Sequence, residues 1–186
     1  MKMNIFVLLI AMLAVSCVPV HVETDTIAGT DFSAIKVFSW LETTTAPGND
    51  VRVNNPALAA LVRAAVEKEL KKKGFTRGED GDFLVNWLGA IKGKVREESI
   101  QHFYSGYGYQ TMSGAIAGDT ATAGTVGTYE DGTIVIDILD PQKHELLWRG
   151  AGTRRLLKDM DEAQVAGYVN LSVAEILKNF PPGTNK

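Results

Sequence analysis

The stretch 132–156, "GTIVIDILDPQKHELLWRGAGTRRL", decides how the chain is read. Its first half is rich in β-branched residues and leucine, its second half returns to apolar and aromatic types, and Pro141-Gln142-Lys143 separates the two. Proline presets a turn and donates no backbone hydrogen bond, so the pattern predicts two strands joined tightly at 141–143. Alternate residues of a strand point to opposite faces. If the turn sets the register accordingly, Asp137 and Arg149 face each other across the hairpin, and a structural ion pair is the expected result.

Downstream of the hairpin, Asp159 with Glu162 three residues later has the form of a capping box and opens a helix. Val165, Val169, Val173, Ile176, Leu177 and Phe180 then make one apolar stripe, stopped by Pro181-Pro182. A second helix is predicted from Pro56 to Lys73, capped by Asn55, with Pro56 at the first position, where its missing N–H costs nothing. Leu58, Val62, Val66 and Leu70 recur every fourth residue, joined by Leu61 and Ala65. Lys71, Lys72 and Lys73 suit the negative end of the helix dipole and Gly74 ends the helix, so the basic run has a local structural explanation.

The remaining segments read as strands and one long loop. "DFSAIKVFSWL", residues 31–41, is β-prone, with Phe38 and Trp40 on one face and Val37 and Leu41 on the other. "VPVHVET" alternates Val18, Val20 and Val22 and is a candidate first strand. "DFLVNWLGAIKGKVREESI", residues 82–100, is a long extended segment expected to bend near Gly89 or Gly93. Residues 103–130 form a loop rich in Gly, Tyr and Thr, too long for an ordinary connection and so either mobile or functional. The order of elements predicts a two-layer α+β domain over 31–182, a mainly antiparallel sheet with two helices packed on one face.

The 186 residues are 45% hydrophobic and 8% aromatic, which fits one globular domain able to bury a core without disulfides. A formal charge of −3 sets up no field for nucleic acid. Residues 1–16 have the layout of an export signal: Lys2, an apolar run from Ile5 to Val15, then Ser16. The run is too short for a spanning helix, which needs roughly 20 apolar residues.

The only cysteine, Cys17, follows directly. A catalytic thiol wants neighbouring positive charge, and a metal site wants clustered ligands, whereas His21, His102 and His144 are scattered singly and read as surface positions. "LAVSC" instead resembles the lipobox of bacterial lipoproteins, with Ala14 in place of the preferred leucine. That resemblance implies cleavage before Cys17, acylation of its thiol and a tether over 17–30. Val18, where an aspartate would signal inner-membrane retention in enteric lipoproteins, leans towards the outer membrane, facing the periplasm.

Catalytic signatures are missing. "GAIKGK" has the wrong glycine spacing for a phosphate loop, "GYGY" lacks a dinucleotide fingerprint, and no GxSxG, HExxH or paired CxxC occurs. Adjacent Glu97 and Glu98 would point to opposite faces of a strand. No cofactor or metal is expected.

"DFSAIKVFSW", "KKKGF", "DFLVNW", the Gly- and Tyr-rich insertion, "GTIVIDILD", "ELLWRG" and "AEILKNFPP", taken in that order, resemble domain of unknown function 4136, a family of bacterial envelope lipoproteins. The resemblance covers nearly all of the chain after the tether. It implies export, lipid anchoring and an α+β fold, and brings no catalytic residues with it. The leading expectation is a non-enzymatic binding or scaffolding domain, held to the membrane by lipid on Cys17 and offered to an envelope protein partner. A second expectation is a small-ligand or glycan binder using Phe103, Tyr104, Tyr107 and Tyr109, whose rings offer flat apolar faces with polar tips.

Overall fold

The structure is a computed structural model that describes residues 19–43, 55–90, 95–96, 103–109, 128–129, 132–154 and 159–183. In chain order the elements are β1 (His21–Thr26), β2 (Val37–Trp40), α1 (Pro56–Lys72), β3 (Thr76–Arg77) and β4 (Phe83–Ala90). After them come β5 (Val95–Arg96), β6 (Thr128–Tyr129), β7 (Thr133–Asp140), β8 (Glu145–Thr153) and α2 (Glu162–Lys178).

Six strands form one sheet in the order β1-β8-β7-β4-β2-β3, and β5 pairs with β6 apart from it. The β1–β8, β8–β7 and β7–β4 pairs are antiparallel. Only β2 runs parallel to its neighbours β4 and β3, because α1 carries the chain across the sheet between them. The expected mainly antiparallel α+β fold is therefore present, with the hairpin as the middle of the sheet. Its turn falls at residues 141–144, after Asp140 Oδ1 accepts from the N–H groups of Gln142 and Lys143.

Both helices pack on one face. Val62, Val66 and Leu70 of α1 and Val169, Val173 and Ile176 of α2 are essentially inaccessible to solvent and meet Phe83, Val85, Ile136, Ile138 and Trp148. Each large side chain buried this way contributes roughly 1.5–3 kcal/mol. Glycines let α2 come close to β8. A Cβ at Gly150 would run into Trp148 and Ile176, and one at Gly152 would lie 2.6 Å from Ile176. Tyr168 fastens the same helix to the strand ends: its hydroxyl donates to the Gly132 carbonyl, with the Arg154 carbonyl 3.0 Å away. Burial pushes that phenol up to about 12, with Arg154 opposing the shift.

Four boundaries differ from expectation. The strand read over 31–41 is confined to Val37–Trp40. Asp31 turns the chain by accepting from the Ser33 N–H at 2.8 Å, and Asp82 takes the N–H groups of Lys36 and Val37 at 2.8 and 2.9 Å. The first strand begins at His21 rather than among the valines before it, since its pairing with β8 runs from His21–Thr153 to Thr26–Trp148. The extended segment keeps its register through Gly89, which pairs with Ile134, to the end of β4 at Ala90. Gly93 lies outside the described residues.

The fourth difference is the cap of α2. Asp161 and Gln164 form the capping box, at 2.8 and 2.9 Å, two residues beyond the expected pair. Asp159 has a left-handed φ of 59° and cannot serve as the N-cap of a helix that starts three residues later. Asn55 caps α1 as expected, accepting from Leu58 N at 3.0 Å.

Gly150→Ala is expected to destabilise the domain by about 1–3 kcal/mol through overpacking. Gly167→Ala, on the exposed side of α2 with nothing within 4 Å of the new methyl, should stabilise it by roughly 0.5–1 kcal/mol. Urea unfolding of both variants reads the opposite signs. Because the Tyr168 phenol is raised from 10.0 to about 12, its contribution is complete below pH 10 and is lost as pH rises towards 12. Tyr168→Phe should therefore flatten the fall of unfolding free energy over that window.

Candidate functional site

The face of the sheet away from the helices carries a row of polar residues across four strands. Asn86 of β4 pairs with Asp137 of β7, Asp137 with Arg149 of β8, and Arg149 with Asp25 of β1. Asn86, Asp137 and Arg149 are 2%, 0% and 4% exposed, while Asp25 at the edge is half-buried. Leu88, Val135, Leu139 and Ala151 surround them with apolar surface. The ion pair expected from the hairpin register is present and bidentate: Nε to Oδ1 at 2.5 Å and Nη2 to Oδ2 at 2.7 Å.

Taking two such charges out of water costs several kcal/mol per ion, which good geometry and further hydrogen bonds must offset. Those bonds come from residues 103–109. One helical turn there is tightened by Gly106 N to Phe103 O, Tyr107 N to Tyr104 O and Tyr109 N to Tyr104 O, at 3.0–3.1 Å. It aims Tyr104 into the sheet. The Tyr104 hydroxyl donates to Asp137 Oδ2 and accepts from Asn86 Nδ2 at 2.7 Å. Burial and then the Asp137 carboxylate push this phenol well above its ordinary range against the pull of Arg149, so it stays a neutral donor.

The four aromatic residues singled out in the sequence are brought together. Ring centroids are 4.9 Å apart for Phe103–Tyr104, 5.1 Å for Phe103–Tyr107 and 6.0 Å for Tyr104–Tyr109. Phe103, Tyr104 and Tyr109 are buried, and Tyr107 is half-exposed. Tyr109 also stacks on His144 of the β7–β8 turn, with centroids 5.1 Å apart and planes 23° apart. Burial raises the Tyr109 phenol, and the Asp140 carboxylate adds to the shift. Three of the four rings thus face the sheet and one another. Below them Asn86, Asp137 and Arg149 are closed off from solvent, and Asp25 at the edge is half-buried.

Other candidates are placed as follows. Cys17 and His102 lie outside the described residues. His21 and His144 are exposed, the former with Nε2 3.2 Å from Glu23. Among the described residues no three His, Cys, Asp or Glu side chains converge as a metal site, and no helix is long and apolar enough to cross a membrane. One feature that sequence reasoning missed is an open concavity of about 550 Å³, between the β1–β2 connection, the end of α1 and the residues after α2. Phe32, Phe75, Pro181 and Pro182 line it together with Lys36 and Lys73. Its residues come from three separate segments, so no local motif marks it.

A mixed six-stranded sheet with helices on one face and an aromatic turn sealing the other defines a two-sided α+β domain. The chain belongs to the family Domain of unknown function (DUF4136), whose sequence profile matches residues 22–182. Among solved structures it is similar to a DUF4136 family protein from Bacteroides thetaiotaomicron VPI-5482, with 12% identity, a TM-score of 0.48, and 84% of this chain and 95% of that chain covered. It is also similar to a PDZ domain protein from Parabacteroides distasonis ATCC 8503, with 17% identity and a TM-score of 0.46. That match covers 92% of this chain but spans only 39% of the other. A third likeness is to the PelC dodecamer from Paraburkholderia phytofirmans, with 9% identity, a TM-score of 0.46, and 86% and 95% of the two chains covered. No curated protein matches the chain.

Asp137→Asn, which leaves Arg149 buried without its counter-charge, is expected to cost about 3–5 kcal/mol. Tyr104→Phe, which strips a donor from Asp137, should cost about 1–3 kcal/mol. Both changes alter the same Tyr104–Asp137 hydrogen bond, so a double-mutant cycle by urea unfolding should find the pair less costly than the sum of its parts.

Proposed function

We propose that this chain is a lipid-anchored protein of the bacterial envelope, held at the outer membrane facing the periplasm, whose domain works by binding or scaffolding rather than by catalysis. The observation that carries the reading is the position of Cys17, directly after an apolar run and four residues before β1. Each acyl CH₂ buried in a bilayer contributes roughly 0.8 kcal/mol, so two or three chains on that cysteine give a durable anchor. Four residues reach at most about 14 Å when extended, so the anchor would hold the domain close to the lipid surface. A pull on it would be borne by a strand paired along its whole length with β8.

Support for a non-catalytic role comes from the polar row. Its central ion pair, Asp137 with Arg149, is closed off beside Tyr104, which suits a scaffold. A partner in the envelope, protein rather than nucleic acid given the charge of −3, completes the reading.

Metabolic labelling with a fatty acid tests the anchor. Wild type should take up label and sediment with membranes, and Cys17→Ala should do neither. Label that persists in the variant, or that never enters wild type, overturns the reading.

A further inference from the structure

We infer that the concavity between the β1–β2 connection and the ends of the two helices binds a small amphiphilic anion, a phosphate or carboxylate headgroup on a short apolar tail. The volume of about 550 Å³ is in the range of small-molecule sites, about 300–1,000 Å³. Its floor is apolar and well packed. Phe32 and Phe75, 9% and 5% exposed, pack against Phe180 with ring centroids 5.4 and 5.6 Å apart. Pro181 and Pro182 extend the wall without adding a backbone N–H, so the surface suits a hydrocarbon tail.

The rim supplies the charge. Lys36 and Lys73 line the opening, and among the described residues neither has an acidic oxygen within ion-pair distance. Glu69, the acid nearest Lys73 in effect, is engaged by Lys72 at 2.6 Å. Asp82, outside the lining, accepts from the N–H groups of Lys36 and Val37. Asp31 is the one acidic residue in the lining, and its carboxylate accepts from Ser33 N. Two cations thus face one anion. Lys73 is also partly desolvated, which lowers its pKa despite Glu69 and which an incoming anion would offset.

Helix carboxyl ends ordinarily repel anions through their free carbonyls. Here several of those carbonyls are taken up. Lys73 N bonds Glu69 O and Leu70 O, Gly74 N bonds Lys71 O, and Phe75 N bonds Leu70 O. At the end of α2, Asn179 N and Phe180 N bond the carbonyls of Ile176 and Leu177. Lysine binds carboxylate and phosphate alike as a point charge, so the headgroup is left to experiment.

The inference deepens the binding role proposed above and rests on it only in taking the domain to be a binder; it does not depend on Cys17. The full chain in a non-ionic detergent would be titrated calorimetrically with hexyl phosphate, hexanoate, hexanol and inorganic phosphate at constant ionic strength. Hexyl phosphate or hexanoate should bind at least about tenfold more tightly than hexanol and than inorganic phosphate, and the tighter of the two identifies the headgroup. Lys36→Gln with Lys73→Gln should weaken that binding at least about tenfold, while Lys68→Gln with Lys71→Gln, outside the lining, should leave it unchanged. All four lysines are exposed, so neither variant threatens the fold. Absence of saturable binding by both anions, equal binding of inorganic phosphate, or binding indifferent to the first pair overturns the inference. The anchor is judged separately by fatty-acid labelling, so the two failures are distinguishable.

Discussion

A carboxylate and a guanidinium lie in the middle of a sheet face, out of contact with water, and the rest of that face is arranged to keep them satisfied. Asp137 and Arg149 hold each other through two hydrogen bonds, and Tyr104 donates a further one to Asp137 while accepting from Asn86. The demand this makes on the chain is one of register. Slipping β7 by one residue would turn Asp137 into the space of Ile136 and Ile138 under the helices and put those isoleucines on the other side. Apolar alternation disfavours such a slip; a buried charge pair forbids it at a cost several times larger.

The two faces solve the same problem by different means. On the helix side, large side chains from α1 and α2 interlock with the sheet, and glycines in β8 let α2 settle close to the strand. On the other side, among the described residues, the turn at 103–109 does the covering, with rings in place of a helix and one phenol bonded to the Asp137–Arg149 salt bridge. That economy concentrates the dependence of a whole face on Tyr104. It also separates structural polarity from accessible polarity: the Asp137–Arg149 pair is enclosed, while Lys36 and Lys73 stand at the far rim beside aromatic and proline surface.

How much of this is legible in the sequence follows from the range of each interaction. Proline after an eight-residue β-prone run, and apolar residues every third or fourth position, are local signals, and the hairpin, α1 and α2 follow from them. The Asp137–Arg149 pair is legible too, since a tight turn fixes which residues meet. The shortened β2 is not, because Asp82, over 40 residues away, takes the N–H groups where the strand begins. Asp159 and Asp161 look alike as caps, and only the left-handed backbone at Asp159 separates them. Tyr104 and Tyr107 look alike in a glycine-rich loop; which is buried depends on Asn86 and Asp137, 18 and 33 residues away in other strands. The concavity is least legible of all, being assembled from three segments none of which is unusual alone.

The pairing of β1 with β8 has a kinetic side. The first strand of the sheet finds its partner only among residues 145–153, so the edge cannot close until almost the entire domain sequence is available. Contacts this distant make folding slow and leave the leading segment unpaired in the meantime. In a chain that becomes available amino terminus first, β2, β3 and β4 can pair once residue 90 is present, whereas β1 waits without its partner until the last third has arrived.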